Sequence, residues 1–350
     1  MSSLATEKKR IEWIDTAKGI CIFLVVLHHT SRYLKIGYPC ATDFMVFRMP
    51  LYFILSVLFF KTYNGVFDFI QHKVNKLVIP YMFFFAFMGV IIPVVLFQVF
   101  GFKIWSYNNY GLEAFRYLFS EEIICNPSIW FLICLFEVNI LFYIIQFVSR
   151  NSKNHKIVCL ILSLFFGSVG LCCASISIDL PYFIDSALTA TPFFFAGWYM
   201  RNYTRILTFN YNKMNRWFTL AFVIFVGLII HFINRGTCSF ISNSYGGNVG
   251  QLQLYPYGIL GTLVVLLVAK MIGSLPLLSY SGRYSIIVLC THAYVIQFSG
   301  IFWKSITENR VMLFLLTFFT TVLLCVSVIP FFRKFLPYVT AQKDFLRFTF

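Results

Sequence analysis

Apolar residues fall in ten long runs along the 350-residue chain, with polar residues gathered between them. The runs cover about 14–34, 44–61, 77–100, 129–148, 156–176, 182–200, 217–234, 252–273, 284–303 and 311–332. Each is about the length a helix needs to cross the hydrocarbon layer of a bilayer. The pattern predicts an all-α fold: a polytopic membrane helical bundle of about ten transmembrane helices. It reads as one domain, 1–350, with an N-terminal tail 1–13, spans over about 14–332 and a C-terminal tail 333–350. No soluble domain, long linker or low-complexity tract stands out. There is also no inverted repeat of broken helices of the kind found in many secondary transporters.

Composition agrees with that reading. Hydrophobic residues make up 59% of the chain and charged residues only 12%, about half the charge of a soluble domain. A net charge of +15 would suggest nucleic acid if it formed one patch. It does not, so no nucleic-acid partner is expected and the lipid bilayer is. The cations fall on alternate connections: Lys8, Lys9 and Arg10, then Lys61, Lys73 and Lys76, then Arg150, Lys153 and Lys156. Arg201, Arg205, Lys213 and Arg216 follow, then Lys270 and Arg283, then Arg333, Lys334, Lys343 and Arg347. The positive-inside rule then places both termini in the cytoplasm, in a multi-pass protein of a bacterial cytoplasmic membrane. The opening MSSLATEKKRIEW is too polar for a cleaved signal peptide, so the first run is expected to stay. Seven of the ten cysteines lie within apolar runs and read as small hydrophobes. Cys40, Cys125 and Cys238 fall in predicted outer loops, where a disulfide is open. No Cys/His spacing suggests a metal. Asp185, near the outer end of the sixth run, reads as solvated, and His231 as interfacial. Trp105, Trp198, Trp217 and Trp303, near run ends, suit interfacial belts.

The first run carries the strongest candidate chemistry. In IDTAKGICIFLVVLHHTSRY, Lys18 and His29 are eleven residues apart. Eleven steps of about 100° make about three turns, so both side chains share one face, roughly 16 Å apart along the axis. Ionisable groups inside a span are costly and are read as functional by default. His29 is a general-base candidate, because a neutral imidazole accepts a hydroxyl proton. The competing reading is a core histidine bonded to a neighbouring helix. Lys18, Lys73 and Lys76 would lie near one membrane face and suit the phosphates of a nucleotide-bearing donor. They equally suit the positive-inside pattern and snorkelling. Arg48 could orient an acceptor sugar or a carboxylate, or simply snorkel. Glu137 lies inside the fourth run and needs a partner there; Lys18, Arg48 or a histidine could supply it. The outer loop 235–251, RGTCSFISNSYGGNVGQ, suits sugar contact as well as it suits a plain loop. The loop 101–128 holds Glu113, Glu121 and Glu122.

Six segments resemble, in order, the signatures of the membrane-bound acyltransferase 3 family. RIEWIDTAKGICIFLVVLHHT resembles its opening, a basic residue followed after ten residues by His, with Asp15, Lys18, Gly19 and His29 matching. Lys in place of the commoner Arg is similar to the polysaccharide and fucose O-acetylase-like branch. FRMPLYFILSVLFF resembles MPLFFFLSG through Pro50, Phe53 and Ser56, with Val57 where Gly is usual. HKVNKLVIPY resembles the basic pair before Pro-Tyr, here Lys73 and Lys76. SIWFLICLF resembles WFL-x-x-LF with Trp130, Phe131 and Leu132, and TPFFFAGWYM resembles FF-x-x-G with Gly197. SGRYSIIVLCTHAYVI resembles the late motif with Gly282, Ser285 and His292.

The resemblance implies an O-acyltransferase that takes an acyl group, most simply acetyl, from acyl-CoA to a hydroxyl of a glycan, either a polysaccharide or a lipid-linked sugar. It implies no bound cofactor; acyl-CoA is a substrate. His29 and Lys18 are then the catalytic candidates, and Lys18, Lys73 and Lys76 the donor-binding ones. Arg48, Ser56, Trp130, Glu137, Ser285 and His292 are the candidates for holding substrate. Direct transfer and an acyl-enzyme on His29 both remain open. A transporter or flippase of a glycan precursor, or a scaffold in a glycan-assembly complex, explains the spans equally well but leaves the lysine-to-histidine spacing without a purpose.

Overall fold

The fold is that of a computed structural model, which describes residues 11–38, 41–58, 63–101, 127–204, 207, 213–233, 237–246 and 250–347. It is a helical bundle. The helices are α1 (Glu12–Leu34), α2 (Ala41–Val57), α3 (Val66–Phe100), α4 (Trp130–Ser149), α5 (His155–Ser175) and α6 (Ile184–Tyr203). They continue as α7 (Lys213–Ile233), α8 (Gly250–Ile272), α9 (Pro276–Arg283), α10 (Ser285–Lys304), α11 (Arg310–Ser327) and α12 (Ile329–Phe335). Among the described residues the strands are β1 (Thr237–Ser239) and β2 (Ser244–Gly246), an antiparallel hairpin with Cys238 opposite Tyr245.

Among the described residues, seven helical stretches are long and apolar enough to cross a membrane; they lie in α3, α4, α5, α7, α8, α10 and α11–α12. The other three predicted runs coincide with α1, α2 and α6. Of these, α2 has only 17 residues. The more polar α1 and α6 bury Asp15, Thr16, His28 and Thr30, and Asp185, Ser186, Thr189 and Thr191. Central helices face protein, not lipid, so polar side chains that would be costly on the rim find partners there. The rim helix α7 is the opposite case, with Trp217, Phe218 and Phe232 all exposed.

Glycine sets the closest contacts. A Cβ on Gly19 would run into the Leu278 carbonyl, and one on Gly282 into the Asp15 carbonyl, so α1 and α9 touch backbone to backbone. A Cβ on Gly197 would meet the Ile54 carbonyl at 2.6 Å and would also strike Val57. Gly197 of α6 therefore supplies the close approach that a glycine at position 57 would have given. Such small-residue contacts are a standard way for membrane helices to pack.

The helix α3 begins at Val66, eleven residues before the predicted start, and contains π-turns at Val74–Val78 and Phe87–Ile91. Each turn spans the residue four before a proline, Lys76 before Pro80 and Gly89 before Pro93. Proline has no N–H to bond that carbonyl, so the ladder widens there. The C-terminal segment after α12 folds back on this part of α3. Asn75, almost wholly buried, accepts from the Phe345 and Leu346 N–H groups at 2.8 and 2.7 Å and donates to the Leu346 carbonyl at 2.8 Å. In this way one amide side chain stands in for a neighbouring strand.

Two expectations are corrected. Asp185 is not solvated but 4% exposed, because the hairpin covers that end of α6. There Ser186 donates to the Phe240 carbonyl, and Thr189 donates to Asn243 Oδ1. Trp198 is not interfacial; it is buried against Phe142, Phe195 and Tyr203. Trp217 is exposed and Trp303 is half-buried, its indole donating to Thr320. Cys238 is a buried free thiol; Cys40, Cys125, Trp105 and the glutamates of 101–128 lie outside the described residues.

Candidate active site

The continuous helix α1 carries Lys18 near its start and His29 near its end, so the predicted face exists. At the His29 end the bundle encloses a cavity of about 760 Å3, within the usual range for small-molecule sites. His28, His29, Arg32, Arg48, Ser128 and Trp130 line it, together with Cys238, Phe240 and Ser242 of the hairpin. Phe240 fixes the hairpin by inserting between Phe53 and Phe193, with ring centres 5.8 and 6.2 Å away.

Three side chains from distant parts of the sequence form a hydrogen-bonded line. The Ser128 hydroxyl lies 3.3 Å from His29 Nε2 and 3.1 Å from His292 Nε2. His292 is fully buried, and its Nδ1 lies 2.9 Å from the Val288 carbonyl. A carbonyl only accepts, so His292 Nδ1 holds a proton and donates it. In neutral His292 the Nε2 is then an acceptor and takes the Ser128 O–H. Having spent its one proton, the Ser128 oxygen accepts from His29 Nε2–H. Neutral His29 is left with its lone pair on Nδ1. His29 is half-buried, with its ring centre 5.1 Å from that of His292 and 5.5 Å from that of His28. Among the described residues no group of three His, Cys, Asp or Glu side chains is placed to hold a metal ion.

Arg48 sits on the buried side of the cavity, 8% exposed, and its Nε and Nη1 have no hydrogen-bond partner. Its backbone carbonyl accepts from the Cys21 thiol at 3.3 Å, which ties the middle of α2 to α1. Trp130 packs against Phe131 and Phe183 at the start of α4.

The remaining sequence candidates lie elsewhere. Lys18 is half-buried on α1, outside the cavity lining. Lys73 lies 5.8 Å from the ring centres of Tyr63 and Phe69. Lys76 is engaged by the C-terminal segment: its ammonium pairs with Asp344 at 2.8 Å and donates to the Ala341 carbonyl at 2.9 Å. The hydrogen bond and charge of Lys76 hold the Asp344 carboxyl below the usual carboxylate range. Ser56 donates back to the Tyr52 carbonyl within its own helix. Ser285 is half-buried at the start of α10. Glu137 is half-buried with Oε2 lacking a hydrogen-bond partner. Of the sequence candidates, His29, Arg48 and Trp130 meet at the cavity, with His292 directly behind Ser128.

Sequence reasoning missed Ser128, although it heads SIWFLICLF. Its contacts span 99 and 164 residues, and no local spacing signals them. It also missed the hydrogen bond between His231 Nδ1 and the buried Asp43 carboxyl, at 2.9 Å. The model of the acyltransferase 3 family, described as an acyltransferase domain, matches residues 11–329. No curated protein and no solved structure matches the chain. The match runs from the first turn of α1 to the start of α12 and takes in every element around the cavity, so the chain belongs to the acyltransferase 3 family of membrane acyltransferases.

Proposed function

We propose that this membrane acyltransferase moves an acetyl or other acyl group from acyl-CoA to a hydroxyl of a cell-surface or lipid-linked glycan, with His29 as general base. The observation that carries this reading is His29 on a substrate-sized cavity, its Nε2 bonded to Ser128 and its Nδ1 without a partner among the described residues. His29 Nδ1 takes the proton of the acceptor hydroxyl, and the oxygen attacks the thioester carbonyl carbon. The C–S bond breaks, and the departing thiolate recovers the proton from the imidazolium. Membership in an acyltransferase family favours this over the transporter reading.

The donor's phosphates are assigned to the end where α1 begins, near Lys18, Lys73 and Lys76. A phosphate at Lys76 would take the place of Asp344. The positive-inside pattern puts that end and both termini in the cytoplasm, with the His29 cavity toward the other face. The test is transfer of radiolabel from acetyl-CoA to a surface-glycan fraction, using membranes with matched amounts of wild type or His29→Ala. Label reaching glycan with wild type and falling by about 10²–10⁴-fold in the variant is expected of a lost general base. Equal labelling by both removes His29 from the reaction.

A further inference from the structure

The cavity's charge is one-sided. Its described lining holds Arg32, Arg48, His28 and His29 and no carboxylate. Arg32 is exposed at its edge, whereas Arg48 is nine-tenths buried with Nε and Nη1 unpartnered. Burying a guanidinium without a partner is strongly unfavourable. A protein that keeps one on a cavity wall holds it for something that arrives. The two bare nitrogens, Nε and Nη1, lie on opposite sides of the planar guanidinium, and each has an N–H free for an oxygen of an arriving carboxylate or phosphate.

We infer that the cavity is an anion-recognising site, with Arg48 holding a carboxylate or phosphate group of a substrate and Arg32 assisting from the edge. The inference rests on the proposed reaction only for the word substrate; the binding itself does not need catalysis. Two sources supply this chemistry. One is an acidic acceptor sugar, such as a uronate. The other is the phosphate-bearing part of the donor, an outcome that would move the donor's phosphates from the end where α1 begins to this cavity. An uncharged sugar would leave Arg48 unpaired and bind poorly. Arg48 thereby becomes a specificity-determining residue for the transferase.

The experiment uses the full-length protein in lipid nanodiscs. Binding is measured for methyl glucuronide, methyl glucoside, acetyl-CoA and acetyl-pantetheine, with wild type, Arg48→Gln and Arg48→Lys. The expected result is that Arg48→Gln weakens an anionic probe by about thirtyfold or more, the scale for truncating one partner of a buried charge pair. Arg48→Lys keeps the charge but loses the fork, so it is expected to fall between. Loss confined to methyl glucuronide assigns the anion to the acceptor. Loss for acetyl-CoA, with acetyl-pantetheine unaffected, assigns it to the donor. The ligand-free melting temperature is the second readout. Removing an unpaired buried charge should leave Arg48→Gln at least as stable as wild type, whereas a structural arginine would make it less so. Unchanged binding of both anions overturns the inference, as does equal loss for methyl glucoside or a lower melting temperature without selective loss. If Arg48 fails these tests while transfer still depends on His29, only the anion site is lost and the proposed reaction stands.

Discussion

The two ends of the bundle treat their polar side chains in opposite ways. Around Lys76 and Asn75 they are used on the fold: the ammonium holds Asp344 and a carbonyl, and the amide bonds both sides of the Leu346 peptide. Around His29 they are held back. Arg48 keeps two nitrogens bare, and the line through Ser128 leaves one imidazole nitrogen without a partner among the described residues. A buried polar group left unbonded costs stability unless something binds it. The contrast is the ground for the proposal that acyl transfer takes place at the cavity, although both ends carry basic residues that look alike in sequence.

The sharpest way to break this contrast is to exchange the two nitrogens of His29. Methylhistidine placed at position 29 with the methyl on Nδ1 should abolish transfer, by about 10²–10⁴-fold, because it blocks the nitrogen assigned as base. With the methyl on Nε2, the bond to Ser128 is lost but the basic nitrogen remains, so activity should survive in part. The assay is labelled acetyl transfer in membranes at equal protein. The reverse order of effects would place the base on Nε2 and undo the proton assignment.

A weaker disturbance is Ser128→Ala, which removes the link between the two rings but neither ring. One hydrogen bond contributes about 0.5–1.5 kcal/mol, so kcat should fall by roughly three- to tenfold. KM for donor should stay unchanged, since nothing assigned to the donor is touched. Ser128→Thr retains the hydroxyl and should restore most of the rate. A uniform loss of protein from the membrane in both variants would instead mark Ser128 as structural.

What the sequence revealed follows the same division. The apolar runs foretold the helices closely, because membrane length and hydropathy are local properties. The Lys18–His29 face was legible because both residues lie on one helix. Ser128, the covering hairpin and the burial of Asp185 were not, because they depend on pairing between segments that no periodicity links. Val57 shows the intermediate case. The departure from glycine was visible, but its compensation by Gly197 on another helix needed the packed structure.

At the opposite end the effects should be structural and smaller. Asn75→Ala leaves the Phe345 and Leu346 N–H groups without their acceptor, at a cost of about 1–3 kcal/mol to the docked tail. Hydrogen exchange over residues 341–347 should rise sharply, while transfer changes little. Full protection in that variant would show that other contacts hold the tail.

The smallest effect belongs to Asp344, whose carboxylate is part-exposed and whose ion pair is therefore screened. Its pKa is depressed in the folded protein by the Lys76 hydrogen bond. The pair's contribution is thus present above the ordinary carboxylate range and is lost as pH falls through the lowered value. Exchange over 341–347 should increase in acid for wild type. Asp344→Asn should show that looser state at neutral pH and lose the acid dependence. If Lys76 also takes donor phosphate, removing its competing carboxylate should lower KM for acetyl-CoA by about two- to threefold, the scale of one exposed ion pair. An unchanged KM would confine Lys76 to anchoring the tail and leave donor phosphates to Lys18 and Lys73.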